Sequence, residues 1–254
     1  MNLLKTVVKS ILPEKHLMHL QALDHYFNGE DEIRLISRLC ARGKSAIDAG
    51  ANIGTYSYFF LKYANRVYAY EPNPSLAKRL TRILPEVQVR NLALSDASGE
   101  VVLEVPLDAT GHEQYELASI AQDFDGPALD FSVSAITLDS ENLSNVGLIK
   151  VDVEQHERQV LKGAIETIRR NRPIIMSEIS PLKYEADLCT VFAFLLNENY
   201  VGWFKFSKKW YPFDQLKPEV HIQPGNFGIE DSFIGNNVLF FPTEHALSKM
   251  GPSL

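Results

Sequence analysis

Ala46-Ile47-Asp48-Ala49-Gly50-Ala51-Asn52-Ile53-Gly54-Thr55 is the stretch on which the fold turns. Ala46 and Ile47 close an apolar run, and Tyr56, Phe59, Phe60 and Tyr63 recur beyond it at helical spacing. Asp48 to Gly54 is therefore expected to be the turn between a buried strand and a helix. In an open α/β sheet such a turn lies at the carboxyl edge of the strands, where ligands bind. A dinucleotide site spaces its glycines G-x-G-x-x-G so that backbone amides close on a pyrophosphate. Here Gly50 and Gly54 flank Asn52 instead, and Asp48 sets a carboxylate where a pyrophosphate would be repelled and an ammonium or sulfonium group attracted.

Working outward, Val67-Tyr68-Ala69-Tyr70-Glu71 is a second apolar strand ending in an acid. Glu71 follows the glycine turn at close to the roughly 20-residue interval at which an acidic residue meets ribose hydroxyls. A nucleoside cofactor with cations and no phosphate fits both halves, and S-adenosylmethionine is such a molecule. Its own carboxylate suits the free amides that open the following helix. Asp48, Gly50, Asn52, Gly54 and Glu71 are the candidate cofactor residues. Leu92 and Ala93, after the strand Val87 to Asn91, are expected to wall the adenine. Asp96 is either a further polar contact or the turn before Ser98-Gly99.

Two more apolar runs end in acids, Leu148 to Asp152 and Pro173 to Glu178. Carboxylates at strand ends are costly to desolvate unless they bind something, so four of them along one edge favour a site. For transfer of a methyl group to an alcohol, a base must take the hydroxyl proton. Asp152 ranks first for that role, with Glu178 as its partner and His156, whose ordinary pKa suits a base, as a further candidate. The same acids with His156 also suit a divalent ion such as magnesium or calcium; the main reading assigns no metal. An oxidoreductase using a nicotinamide cofactor would share the strand, turn and ribose acid, although the short glycine turn with Asp48 argues against it. A non-catalytic binding module on the same fold is the third reading.

The remaining sequence sets limits. With 254 residues the chain fits one globular unit, read as a helical extension (1–42) and a main domain (43–254). A net charge of −7 and the lack of a concentrated basic run argue against nucleic acid, leaving a small molecule or glycan as the partner. Cys40 and Cys189 each sit in an apolar helical pattern, make neither a disulfide framework nor a zinc site, and point to a reducing cytoplasmic setting. The first twelve residues are amphipathic but broken by lysines, too short in apolar runs for a signal peptide or an integral membrane segment. Residues 14–41 read as two helices broken at Asn28-Gly29, either flanking the cleft or adding a packing layer. Glu100 to Val105 and Phe131 to Leu138 read as strands of an inserted β element. Between them Thr110 to Gly126, with His112, Tyr115 and Ser119, is a candidate substrate lid or a flexible loop. Leu188 to Leu196 reads as a helix, and Tyr200 to Phe206, Lys209 to Phe213 and Asn237 to Phe241 as strands whose aromatics suit sugar stacking or core packing. Residues 214–236 read as a loop.

With these pieces placed, the sequence resembles the FkbM family of S-adenosylmethionine-dependent methyltransferases. The resemblance rests on Ile47 to Gly54, Glu71-Pro72, Asn91 to Asp96, Ile149 to Glu154 with Glu157, Val160 to Ala164, and Asn237 to Pro242. It implies a class I methyltransferase fold, an α/β seven-stranded and mostly parallel sheet with helices on both faces and a terminal antiparallel strand. It also implies methyl transfer to a hydroxyl, often on a sugar or a secondary metabolite. One departure stands out: family members usually have glycine where this chain has Gln155, so the backbone after Glu154 is expected to differ.

Overall fold

The computed structural model describes residues 12–29, 32–121, 124, 126–178, 188–206, 209–217, 221 and 237–245; the side chains of 116 and 188–191 lie outside that description. Helices α1 (Glu14–Asn28) and α2 (Glu32–Leu39) precede the first strand. The chain then alternates through β1 (Ser45–Ala49), α3 (Thr55–Phe60), β2 (Arg66–Tyr70), α4 (Pro74–Ile83) and β3 (Gln88–Arg90). An inserted element follows, made of β4 (Ala93–Leu94), β5 (Gly99–Pro106) and β6 (Ala128–Ile136). Alternation resumes with β7 (Val146–Val151), α5 (Glu157–Lys162), α6 (Ile165–Asn171), β8 (Ile174–Glu178) and α7 (Leu188–Asn197), and closes with β9 (Tyr200–Phe206), β10 (Lys209–Pro212) and β11 (Asn237–Pro242).

The main sheet runs β10-β9-β11-β8-β7-β1-β2-β3. From β3 to β8 every pair is parallel, whereas β11 is antiparallel to both β8 and β9, and β10 is antiparallel to β9. This is the expected mostly parallel sheet with its terminal antiparallel strand, plus an eighth strand, β10, that pairs at the edge. Strands covered on both faces by helices are buried throughout, and β1 and β7 among the parallel strands and the antiparallel β11 are buried along their whole length for that reason.

Side chains alternate across a strand, so neighbouring residues serve opposite cores. Ile47, Tyr68, Ile149, Ile175 and Phe240 meet Val160, Leu161, Ile168 and Phe192 on one side. Ala46, Val67, Leu148, Met176 and Leu239 meet Met18, Ile36, Phe59, Phe60 and Leu80 on the other. The two N-terminal helices thus share the core on the α3 side of the sheet. The opening of α4 follows its sequence signal closely: Asn73 caps it, its side chain accepting from Ser75 N at 2.9 Å and Leu76 N at 3.3 Å, with Pro74 in the first turn.

Several boundaries differ from expectation. Asp48 lies inside β1 and the turn begins at Gly50, because β1 pairs through Ala49 with both β2 and β7. Helix α3 ends at Phe60, and Tyr63 sits in the turns that follow. Phe204 and Phe213 are buried and Trp203 and Trp210 pack against the core, so the C-terminal aromatic density is packing. Burial pushes the Cys40 thiol up to about 12, consistent with a structural role, while the Cys189 side chain lies outside the described set. Most of the 214–236 stretch and residues 1–11 are likewise outside it. Among the described residues no helix is long and apolar enough to cross a membrane.

Candidate functional site

The chain steps to one side of β1 through β2 and β3, then returns to its other side with β7. A crevice opens at that reversal, beyond the carboxyl ends of the strands. Alternation then sorts the strand-end acids. Asp48 shares its parity with Ala46, Glu71 with Val67 and Ala69, Asp152 with Leu148, and Glu178 with Met176. All four therefore fall on the α3 side of the sheet. Glu71, Asp152 and Glu178 border a cleft of about 380 Å³, lined among others by Gly50, Asn52, Leu92 and Ala93.

At the β2 end, both Glu71 carboxylate oxygens hold backbone amides: Oε2 accepts from Asn52 N at 2.7 Å and Oε1 from Asn73 N at 2.8 Å. The glycine turn is thereby tied to the acid that follows the next strand. Asn52 adopts φ 48°, and Gly50 adopts φ 78° where a Cβ would lie 1.8 Å from the Asp152 carbonyl oxygen. Gly54 caps α3 at φ 93° and does not line the cleft. Asp48 does not line it either. It is fully buried one layer below, accepting from Ser57 Oγ at 2.6 Å, and burial raises its carboxyl above the usual range. Leu92 and Ala93 lie on the wall as expected, and Asp96 lies beyond it, next to Ser95.

Burial also raises Glu71, to about 7, against the two amide hydrogen bonds that lower it. Glu157, buried with Oε1 on the Val153 and Gln155 amides, is raised to about 7 in the same way. For an acid held above its ordinary value, the folded chain binds the proton more tightly, so stability is fullest below that value and is lost as pH rises through about 7. Unfolding free energy is expected to fall between about pH 5 and about pH 8 by something on the order of 3 kcal/mol for each group. Glu71→Gln is expected to flatten that slope in denaturant titrations, and an unchanged slope would mean the Glu71 carboxyl is ionised throughout.

At the β7 and β8 ends, Asp152, Glu154 and Glu178 bring carboxylate oxygens within 4.8 Å of one another. A residue not singled out from sequence joins them. Lys150, 3% exposed and one residue short of the carboxyl end of β7, places Nζ 2.7 Å from Asp152 Oδ2 and 4.3 Å from the centre of the Tyr56 ring. Lys150 and Asp152 are two apart on one strand and so share a face. The signal was present, since a lysine flanked by Leu148, Ile149 and Val151 is a charge in a buried run. His156 is not brought to this group. It precedes α5, bonds Ser95 Oγ through Nε2 at 2.9 Å, does not line the cleft, and burial lowers its pKa. The cation facing the acids is thus the Lys150 ammonium, and His156 is kept from them by the turn that starts α5.

That turn also contains Gln155. Gln155 has φ 75° and Glu154 φ 49°, so both adopt the left-handed backbone that glycine takes most readily. Glu157 braces it through the two amides, and Ser119 Oγ donates to Glu154 O at 2.7 Å. A left-handed residue with a Cβ costs about 1–2 kcal/mol, part of which glycine would return as unfolded-state entropy. Gln155→Gly is expected to raise stability by about 0.5–1 kcal/mol in denaturant titrations. A loss of stability would show that the glutamine side chain contributes more than its backbone costs.

The inserted element covers the remaining side. Tyr115, Ala118 and Ile120 line the cleft with Leu103 of β5, and the segment is fastened by bridges of Glu104 to Ser119 and Leu107 to Glu113. His112 is turned away, bonded to Thr110 on the surface. Opposite, His25 of α1 and Ile33 of α2 reach the cleft, so the N-terminal helices flank it as well as packing on the core.

A sequence model of the methyltransferase FkbM domain matches residues 48–204. Hexuronic acid methyltransferase AglP of Haloferax volcanii is 30% identical over 175 residues, covering 63% of this chain and 70% of that protein. Among solved structures, a methyltransferase FkbM from Methylobacillus flagellatus KT aligns over 93% of this chain with a TM-score of 0.51 at 13% identity, a likeness of fold. This chain spans 57% of that structure's length.

Proposed function

The chain belongs to the FkbM family of methyltransferases, and from the site it carries we propose that it transfers the methyl group of S-adenosylmethionine to a hydroxyl oxygen of a sugar, a glycan or a secondary metabolite. The observation that carries this reading is the division of one cleft into two halves. Glu71, Asn52, Leu92 and Ala93 stand at the β2 end, and Asp152, Glu154 and Glu178 at the β7 and β8 end.

The residues fit the cofactor. Gly50 keeps a side chain out of the cleft floor, and the buried Thr55 hydroxyl on the wall has no hydrogen-bond partner among the described residues. Glu71 would hold the ribose hydroxyls, Leu92 and Ala93 the adenine, and Gly50, Asn52 and Thr55 the amino-acid end, above the Asp48 carboxylate. S-adenosylmethionine supplies a methyl carbon whose bond to sulfur breaks as an acceptor oxygen takes it.

The chain's own contribution is position and proton transfer. Asp152 accepts the hydroxyl proton, and Glu178 and Glu154 hold neighbouring hydroxyls of the acceptor. Tyr115, Ala118 and Ile120 limit the water that reaches them. A sugar acceptor draws support from the relative that methylates hexuronic acid.

The test is incubation with S-adenosylmethionine carrying a labelled methyl group and the methyl glycosides of a hexose and a hexuronic acid. Labelled methyl ether is the expected product. Label transferred only to nitrogen acceptors would overturn the hydroxyl reading. Cofactor binding with no transfer across a panel of sugars and hydroxylated metabolites would favour the non-catalytic module.

A further inference from the structure

We propose that Lys150 is a positioning residue of this site: bonded to Asp152 and seated under Tyr56, its ammonium holds Asp152 as the carboxylate and leaves the proton shared by Asp152 and Glu178 on Glu178. Using Asp152 as the base for a hydroxyl rests on the methyltransferase reading. The proton arrangement does not.

The groups around this ammonium come from four elements. Asp48 of β1 is its register partner, Asp152 follows on its own strand, Glu178 ends β8 beside it, and Tyr56 of α3 covers it with the face of its ring. Glu154 completes the acidic group. So many carboxylates in so small a space do not all ionise, and the one nearest a cation keeps its charge most easily. Lys150 Nζ is 2.7 Å from Asp152 Oδ2. Glu178 and Asp152 bring carboxyl oxygens within 4.8 Å of each other; Glu178 is raised by burial and by the Asp152 charge, whereas Lys150 beside it brings Asp152 below the usual range despite its burial. The order of groups is then ammonium, carboxylate, carboxylic acid. Asp152 faces the cleft as a carboxylate, paired with Lys150 and able to accept a proton, and the neutral Glu178 is a hydrogen-bond donor.

A lysine fits this role because it is compact. Its ammonium sits over Tyr56 at 4.3 Å while bonding a carboxylate, a combination that keeps a buried charge supplied with partners on several sides.

The test reads protons, so that it stands apart from the search for an acceptor. Infrared titration of the full chain is made with carbon-13 labelling of glutamate or of aspartate, on the wild type, Asp48→Asn, Glu178→Gln, Lys150→Met and Lys150→Arg. At about pH 8.5, above the value near 7 at which Glu71 and Glu157 titrate, the wild type is expected to keep a carboxylic-acid band. Glutamate labelling should shift that band and Glu178→Gln should remove it. In Lys150→Met the midpoint at which Asp152 gains a proton should rise by about 1–3 pH units, and in Lys150→Arg it should stay near the wild-type value. An acid band that follows aspartate labelling and survives Asp48→Asn, no glutamate-labelled acid band at that pH, or an Asp152 midpoint unmoved by Lys150→Met overturns the proposal, Asp48 being the other aspartate whose carboxyl burial raises. The wild-type labelling decides the location of the proton even where Lys150→Met does not fold. A wild type that shows the expected band but transfers no methyl group would overturn the methyltransferase use of the site and leave the proton arrangement standing.

Discussion

Asp152→Asn is expected to slow methyl transfer by about 10²- to 10⁴-fold while leaving the affinity for S-adenosylmethionine close to that of the wild type. Asparagine keeps the size of the side chain and removes its ability to take a proton. The reading places Asp152 at the acceptor end, after β7, with its charge maintained by Lys150 at 2.7 Å. Loss of that charge removes the base, whereas the ribose and adenine contacts assigned to Glu71, Leu92 and Ala93 are on other strands. The split between rate and affinity is therefore the informative result. Stopped or single-turnover rates, with cofactor binding measured separately, would show it. An Asp152→Asn variant that turns over at the wild-type rate would move the base elsewhere, with Glu154 next in line by position.

Gly50→Ala is expected to lose both stability and cofactor binding. The added Cβ would lie 1.8 Å from the Asp152 carbonyl oxygen, a backbone atom, and φ 78° at that position is disfavoured for any residue with a side chain. The left-handed conformation costs about 1–2 kcal/mol and forced overpacking about 1–3 kcal/mol more, a large part of the 5–15 kcal/mol that holds a typical protein folded. For a chain of this size that corresponds to a fall in melting temperature of about 10 °C. The collision also drives the glycine turn away from the end of β7, across the crevice where the cofactor would lie. Gly54→Ala is the comparison. At φ 93° it also carries conformational cost, but its nearest obstacle is the Leu80 methyl at 2.3 Å, the end of a side chain that can turn aside. Equal and small effects in the two variants would show that the approach of the turn to β7 is not tight in solution.

Much of this architecture was legible because parallel strands buried on both faces leave a plain mark. The runs ending at Asp48, Glu71, Asp152 and Glu178 are apolar through to an acid, and each acid is found at or near the carboxyl end of a strand of the main sheet. Strand ends are local facts of sequence, so their alignment along one edge follows once the strands are parallel. Which side chains meet there depends on parity and on the turns, and that was harder to read. Asp48 carries the right chemistry but lies beneath the cleft, since β1 continues through Ala49 and Ser57 of α3 closes over the carboxylate. His156 is four residues from Asp152 in the chain, yet the turn of Glu154 and Gln155 carries it to Ser95.

Lys150 shows the opposite case. In the sequence it is one lysine in a strand, and its meaning comes from Asp48 opposite it, Asp152 beyond it and Tyr56 above it, three partners that only the folded chain assembles. The departure at Gln155 was visible as a residue change, but its outcome was set by Glu157 and Ser119, which hold the turn in the backbone form that glycine favours. The inserted element was recognisable as two strands. That its connecting segment is fastened to β5 and brings Tyr115 and Ile120 to the cleft depended on pairing between residues distant in the chain.

The most direct measurement is calorimetric titration of the full chain with S-adenosylmethionine, with its demethylated product S-adenosylhomocysteine, and with NAD, repeated on folded Glu71→Ala. The first two are expected to bind and NAD is not, and Glu71→Ala is expected to lose the binding while keeping its fold. Binding of NAD in their place, or of none of the three, would contradict the assignment of this cleft to the methyl donor.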